Sequence, residues 1–449
     1  MSIPAEEPRD PWSPRPIDLP RRVPLEGPLD ELDGAKILAA PDDPADWPAW
    51  RDALTRWRAE ARDRVGYDDA SYLRPENAWA PRCFSVALAW LWDETLYDHR
   101  AGRFTPDRFL DDGEREFGGY DGIVLWHAYP VIGIDERNQF DFYRGVPGIR
   151  ELVAALRERG VRVFVDYNPW DVGTRREATD DAHAVAALVA DLDVDGVFLD
   201  TMKEALPGLR AAVDEARPGV CFEGESTLPL TRVHDHHLSW AQWFADSDVP
   251  GVLRARWFEQ RHMLHHTRRW NRDHAEELRS AWLNGVGVLV WENVFGAWVG
   301  WNDTDKALLR AMLPVQRRHA ELLTAGEWTP LAAHGPGSPP RIVASRWADR
   351  ETTLWVVANS GDRAYRGELI GADIEVELPA GGIAAYVGEE RIMVAPAAES
   401  PVFPARPSKR MPAAAAPVAS VPVGFVEAPA PPARIVSTFR RRETGTYGE

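Results

Sequence analysis

Ahead of residue 80, apolar residues keep a regular spacing in one place. In PADWPAWRDALTRWRAEARDRVG, Trp50, Leu54 and Trp57 fall at i, i+4 and i+7, which puts them on one face of a helix. From residue 82 the pattern changes: short runs that are apolar throughout alternate with amphipathic stretches. The runs are CFSVALAWLW, YDGIVLWHAYP, VRVFVDYNPWD, DGVFLD, VCFEGES, LSWAQWFAD and VGVLVWENVFG. Between them, VPGIRELVAALRERG carries Ile149, Leu152, Val153 and Leu156 on one face, with Pro147 suited to its first turn and Gly160 to its C-terminal end. DDAHAVAALVADLD repeats the pattern with Val185, Leu188, Val189 and Leu192, and LPGLRAAVDEARPG reads as another helix. A further element, helix or strand, is expected in the basic, His-rich stretch near 257–270.

Strands that are apolar on both faces and joined by helices belong to a parallel sheet covered on both sides. About eight of them in a region of this length suit an α/β (β/α)8 TIM barrel better than an open doubly wound sheet. No glycine-rich phosphate loop follows the first strand, which counts against a dinucleotide fold. After Pro340, RIVASRWA, TTLWVVANS, DIEVELPA and GIAAYVG read as short strands of a small antiparallel β-sandwich domain. The expected organisation is an extended Pro-rich arm over 1–45, the barrel with its N-terminal helix over 46–335, the β domain over 340–388, and an Ala/Pro-rich linker or tail over 389–449. Such a tail either leads to a further domain or binds back on the body.

Charge narrows the partners. A net charge of −18 argues against nucleic acid and against an anionic membrane surface. No apolar stretch reaches about 18 residues, so no membrane span is expected. The start lacks the basic-then-apolar order of a signal peptide. Cys83 and Cys221 both sit in apolar runs and read as buried thiols. Together these features point to a cytoplasmic, reducing setting.

The chemistry collects at the strand ends. In a barrel the site lies at the C-terminal tips. The first tip offers Trp92, Asp93 and Glu94, the second Trp126 and His127, and the third Asp166, Asn168, Trp170 and Asp171. Asp200 ends the fourth, and Glu223 and Glu225 the fifth; Trp243, Asp246 and Asp248 end the sixth, and Trp291, Glu292, Asn293 and Trp298 the last. Carboxylates interleaved with indoles are what glycosidic-bond cleavage needs. One carboxylate attacks or stabilises the anomeric centre, another protonates the leaving oxygen, and Trp packs on the apolar face of the sugar. The chain holds 20 tryptophans, and position must separate those that stack on sugars from those that fill the core.

The order strand–DYNPWD, strand–DGVFLD, strand–EGES resembles retaining (β/α)8-barrel glycoside hydrolases of the α-galactosidase, α-glucosidase and α-fucosidase types. The resemblance spans roughly residues 80–388 and includes their C-terminal β domain. It implies that Asp200, at the tip of strand four and preceded by the pair Asp195 and Gly196, is the nucleophile. Two departures stand out. The α-galactosidase types usually carry a Lys two residues before the nucleophile, where this chain has Phe198, and their acid/base follows strand six, where Asp246 and Asp248 lack the usual Arg neighbour. Glu225 is the first candidate for the proton donor, being nearer the tip than Glu223, and Asp246 the second. Asp93, Trp126, His127, Asp166, Asn168, Trp170, Glu292 and Trp298 are expected to line the sugar subsite of an exo-acting α-glycosidase. Its partner is a carbohydrate substrate, and no cofactor is required.

Two readings from other classes compete. One is a barrel that binds carbohydrate without cleaving it, as a module of a larger protein. The other is a metal-dependent hydrolase built on His234, His236 and His237, although their spacing fits no standard zinc motif. The basic stretch RHMLHHTRRWNRDH would suit an anionic group or a salt-bridged surface. No G-x-S-x-G elbow supports serine chemistry.

Overall fold

In the computed structural model the apolar runs become eight parallel strands that close on themselves. They are β1 Ser85–Trp90, β2 Gly122–Trp126, β3 Arg162–Tyr167, β4 Gly196–Leu199, β5 Cys221–Gly224, β6 Leu238–Gln242, β7 Met263–His266 and β8 Gly287–Val290. They pair in sequence order, with β8 returning to β1. The His-rich stretch supplies β7. The structure describes residues 20–127, 136–170, 175–225, 227–242, 250–267, 273–295 and 297–395.

Alternation along each strand sorts the side chains into two cores. Val86, Leu88, Val124, Phe164, Phe198 and Leu238 share the core that fills the barrel. Their neighbours Ala87, Leu125, Val163, Val165, Val197 and Phe222 join a second core with the helices outside. The lumen is tight enough to dictate a glycine: a Cβ on Gly196 would lie 2.1 Å from the Phe164 ring.

Ten helices are described, from α1 Trp47–Val65 and α2 Pro106–Phe117 to α3 Gln139–Gly145, α4 Ile149–Glu158, α5 Asp181–Leu192 and α6 Leu209–Ala216. The series continues with α7 Arg254–Phe258, α8 Ala275–Asn284, α9 Asp303–Arg318 and α10 Ala320–Ala325. In α1 the stripe Trp50, Leu54 and Trp57 is fully buried. The buried residues of α4 are Ile149, Leu152, Val153 and Leu156. Pro147, however, precedes the helix. Only three residues separate α3 from α4, so the chain must reverse sharply, and Gly148 caps α4 at φ 78°. The Asp180 side chain caps α5 by accepting from the His183 N–H at 3.0 Å. None of the described helices is long and apolar enough to cross a membrane.

Residues 20–45 form more than an arm. Arg21–Arg22 pairs in parallel with Ile37–Ala39, which pairs antiparallel with Gly251–Leu253. Leu29, Leu32, Ile37 and Leu38 are buried there one by one around a 3-10 turn, so no period shows in the sequence.

The C-terminal domain opens with β9 Glu327–His334, inside the span the sequence assigned to the barrel. It continues through β10 Ile342–Ala348, β11 Thr353–Asn359, β12 Tyr365–Glu368, β13 Glu375–Leu378, β14 Ile383–Val387 and β15 Glu390–Ala395. Its main antiparallel sheet has the order β9-β10-β11-β14-β15, and the β12-β13 hairpin packs Val376 and Leu378 against Ala344 and Val357. The expected tail thus starts with a strand, and the rest of it, 396–449, lies outside the described residues, as does 1–19 of the arm.

Candidate active site

The tips of β3, β4 and β5 bring three expected side chains together. Tyr167 pairs with Leu199, and Leu199 with Gly224. The residues that follow, Asn168, Asp200 and Glu225, therefore sit side by side at the barrel mouth. Asn168 Nδ2 donates to Asp200 Oδ2 at 3.1 Å. The backbone N–H of Thr201 donates to Glu225 Oε2. Asp200 and Glu225 are only 6% and 3% exposed, so both carboxyls face a largely water-excluded space.

Helix α3 holds the β3 tip from outside. Gln139 grips the Asn168 backbone with two bonds: its Nε2 donates to the Asn168 carbonyl at 2.7 Å, and its Oε1 accepts from the Asn168 N–H at 3.0 Å. Asn168 Oδ1 accepts from the Trp170 N–H at 2.8 Å, which leaves the amide nitrogen aimed at Asp200. Tyr143 ties β2 to β3, donating to the Leu125 carbonyl at 2.5 Å and accepting from the Asp166 N–H at 2.9 Å. His127 Nε2 lies 3.2 Å from Asp166 Oδ2. Burial pulls the His127 imidazole down to about 3, against the raising effect of a hydrogen bond with Gln139. A neutral ring thus faces the Asp166 carboxylate, and the contact is a close polar approach rather than an ion pair.

Aromatic rings line the mouth. Trp126 meets Trp291 edge-on at 5.4 Å and Phe295 at 5.1 Å, and Phe198 stacks on Trp240 at 5.1 Å. Gln139, Tyr143, Trp240 and Phe295 were not singled out from the sequence. Alternation holds a signal for Trp240, which shares the inward face with Leu238. Trp170 and Trp298 are exposed, at 80% and 58%. By contrast Trp50, Trp57, Trp282 and Trp347 are fully buried core.

Three expected residues gather elsewhere. Asp93, Glu292 and Trp298 line a recess beside β1, β8 and α2, together with Thr95, Tyr120 and Asn293. Asp93 Oδ1 accepts from the Thr95 N–H at 2.8 Å and from its hydroxyl at 2.6 Å, and Oδ2 accepts from Asn293 Nδ2 at 2.6 Å. Burial pushes the Glu292 carboxyl up, opposed by Lys306. Trp291 and Glu292 are consecutive, so if one faces the lumen the other faces out. Asp246 lies within 243–249, and Asp171 within 171–174, outside the described residues.

Alternation could not separate Glu223 from Glu225, and the structure does. Glu223 is fully buried, with Oε1 at 2.7 Å from His265 Nδ1, and His265 Nε2 is 2.7 Å from the Cys83 carbonyl. A carbonyl only accepts, so Nε2 carries a proton and a second proton is shared between Nδ1 and Glu223. Burial lowers the His265 pKa, but Glu223 outweighs it and the net direction is up.

The histidines of RVHDHHLSW do not converge. His236 Nδ1 meets Asp235 at 2.6 Å and its Nε2 accepts from the Ala205 N–H at 2.9 Å, so both nitrogens are committed. His237 Nε2 meets Asn77 at 3.1 Å, and His234 is half-exposed. His262 lies between the Tyr72 and Ser239 hydroxyls, at 2.9 and 2.8 Å. Among the described residues no three His, Cys, Asp or Glu side chains are placed to hold a metal ion. In the basic stretch, Arg261 is held at 2.7 Å by Glu259 and by Asp69, and 268–272 lie outside the described residues. Cys83 and Cys221 are buried free thiols.

No family model matches the sequence, and no curated protein matches it either. Solved structures similar to this one include an alpha-amylase from Geobacillus thermoleovorans complexed with acarbose, 12% identical, covering 69% of this chain and 98% of that one at a TM-score of 0.47. An alpha-amylase from Anoxybacillus is also 12% identical with the same coverages, at 0.46. The acarbose-soaked debranching enzyme of Nostoc punctiforme is 10% identical, again covering 69% and 98%, at 0.45. The barrel assignment rests on this chain's own strand pairing.

Proposed function

We infer that this protein is a retaining, exo-acting α-glycosidase whose partner is a carbohydrate. The observation that carries the reading is the placement of Asp200 and Glu225, nearly buried, at adjacent strand tips of the barrel. In the first step an Asp200 oxygen attacks the anomeric carbon while the bond to the leaving oxygen breaks. Glu225 gives that oxygen its proton. In the second step Glu225 takes a proton from water as the water oxygen displaces Asp200. The pair must then stand about 5–5.5 Å apart. Asn168 orients Asp200, while Asp166 with neutral His127, and the Trp126 ring, bind the sugar's hydroxyls and its apolar face. Asp246 is the second candidate for the proton donor.

The test is hydrolysis of a panel of aryl α- and β-glycosides by wild type, Asp200→Asn and Glu225→Gln. Turnover by wild type is expected on an α-glycoside, with a loss of about 100-fold or more in each variant. Full activity in Glu225→Gln would move the donor role to Asp246. A panel that binds without turnover would instead make this a carbohydrate-binding barrel.

A further inference from the structure

The tip of β4 contains a strained residue. Leu199 to Met202 form a tight turn, closed by the Met202 N–H on the Leu199 carbonyl at 3.2 Å. Thr201 is the third residue of that turn, with φ 60°. A positive φ at this position is normally left to glycine, and a β-branched residue there is a genuine outlier. Such strain persists only where the surroundings enforce it, and it concentrates at functional sites.

The conformation has one visible product. The turn as a whole places the Thr201 N–H on Glu225 Oε2. The same turn lies over the end of β5, where the Lys203 carbonyl comes within 3.2 Å of where a Gly224 Cβ would be. Gly224 therefore lets the turn close over the strand that carries Glu225. The Thr201 side chain is exposed and contributes nothing to this clamp that glycine would lack.

We propose that Thr201 is a positioning residue of the carboxylate pair: the tight turn that its left-handed backbone completes presents the amide N–H to Glu225 and so fixes the proton donor against Asp200, its own chain neighbour. The proposal rests on the glycosidase reading. Because nucleophile and clamp are consecutive residues, any shift of the turn moves both carboxyls together. In the first step the clamp acts on proton donation, so its loss slows that step for sugars whose leaving group needs a proton and not for those whose leaving group departs unaided, while the second step, in which Glu225 is the base, slows equally for both.

The experiment replaces the Thr201 amide with an ester, using the α-hydroxy analogue of threonine, which deletes the N–H and keeps the side chain. A parallel variant, Thr201→Gly, keeps the N–H and removes the strain. For the ester variant, kcat/KM, which reports the first step, should fall about 100-fold on an alkyl glycoside and be retained on the matching glycosyl fluoride. Thr201→Gly should lose far less and melt at a higher temperature. Equal losses of kcat/KM on both substrates, or none on either, would overturn the proposal. If wild type hydrolyses no glycoside, the enzymatic reading fails separately. Crystal structures of wild type and the ester variant then decide the clamp: a displaced Glu225 carboxyl supports it, and an unmoved one overturns it.

Discussion

His127 is held neutral beside a carboxylate, and that has a pH signature. Its ring titrates near 6.5 when unfolded and at about 3 in the fold, because burial disfavours the charged form. Between those values the unfolded chain binds a proton that the folded chain does not. Stability therefore falls as pH drops through this window, by up to about 1.4 kcal/mol per pH unit for such a group. His237, drawn down to about 4 by burial, adds to the same slope, as do His236 and His262. His265 works in reverse: its raised value contributes stability that is present at low pH and lost as pH rises through its folded value. The His127→Gln variant should lose less stability than wild type between pH 7 and pH 5. Urea midpoints at the two pH values measure this, and equal losses would show that His127 is not the buried neutral ring described here.

Helix α3 shows how a short element governs a distant tip. Its Tyr143 hydroxyl satisfies a carbonyl on β2 and an N–H on β3, both buried. Tyr143→Phe leaves those groups without that partner, at a cost of about 1–3 kcal/mol, and should lower kcat as Asp166 loosens. Urea unfolding and kinetics on one preparation check both effects. This helix also marks the limit of what the sequence reveals. Seven barrel strands were legible because each lies in a closed apolar run, whereas β7, MLHH in a basic stretch, could be read as helix or strand, and α4 and α5 were legible because four apolar residues repeat at helical spacing. QFDFYRG spans barely two turns and buries Gln139, Phe140, Phe142 and Tyr143 on more than one face, so no stripe appears. The site was legible in part for a similar reason. Alternation places Asp166, Asn168 and Asp200 at the tips, but it cannot say that Glu223 is spent on His265 while Glu225 stays at the mouth. Nor can it say that Asp93, Glu292 and Trp298 share a separate recess. Those outcomes depend on partners brought in from other strands.

At the scale of the whole molecule, α1, the barrel and the β domain are interlocked. Trp282 of α8 donates to the Val357 carbonyl of β11 at 3.2 Å, and Arg51 of α1 donates to the Leu331 carbonyl of β9 at 2.9 Å. Trp328 of β9 stacks on Trp347 of β10 at 5.5 Å and meets Trp257 of α7 at 5.3 Å. Arg256, fully buried, bridges the Gly285 and Leu323 carbonyls at 2.9 Å each. Burial lowers its pKa to about 9, yet the guanidinium stays charged at neutral pH. With so many cross-links, the barrel and β domain should unfold in one step, with coincident circular-dichroism and tryptophan-fluorescence transitions in urea. Two separated transitions would contradict this packing account.

The central claim is that Asp200 forms a covalent bond with the sugar. The most direct measurement is to incubate the protein with the 5-fluoroglycosyl fluoride of whichever sugar the panel shows to react, then map the labelled peptide by mass spectrometry. The account predicts one glycosyl group per chain, attached to the peptide DGVFLDTM and located on Asp200. An ester on another carboxylate, or no ester on a protein that turns that sugar over, would contradict it.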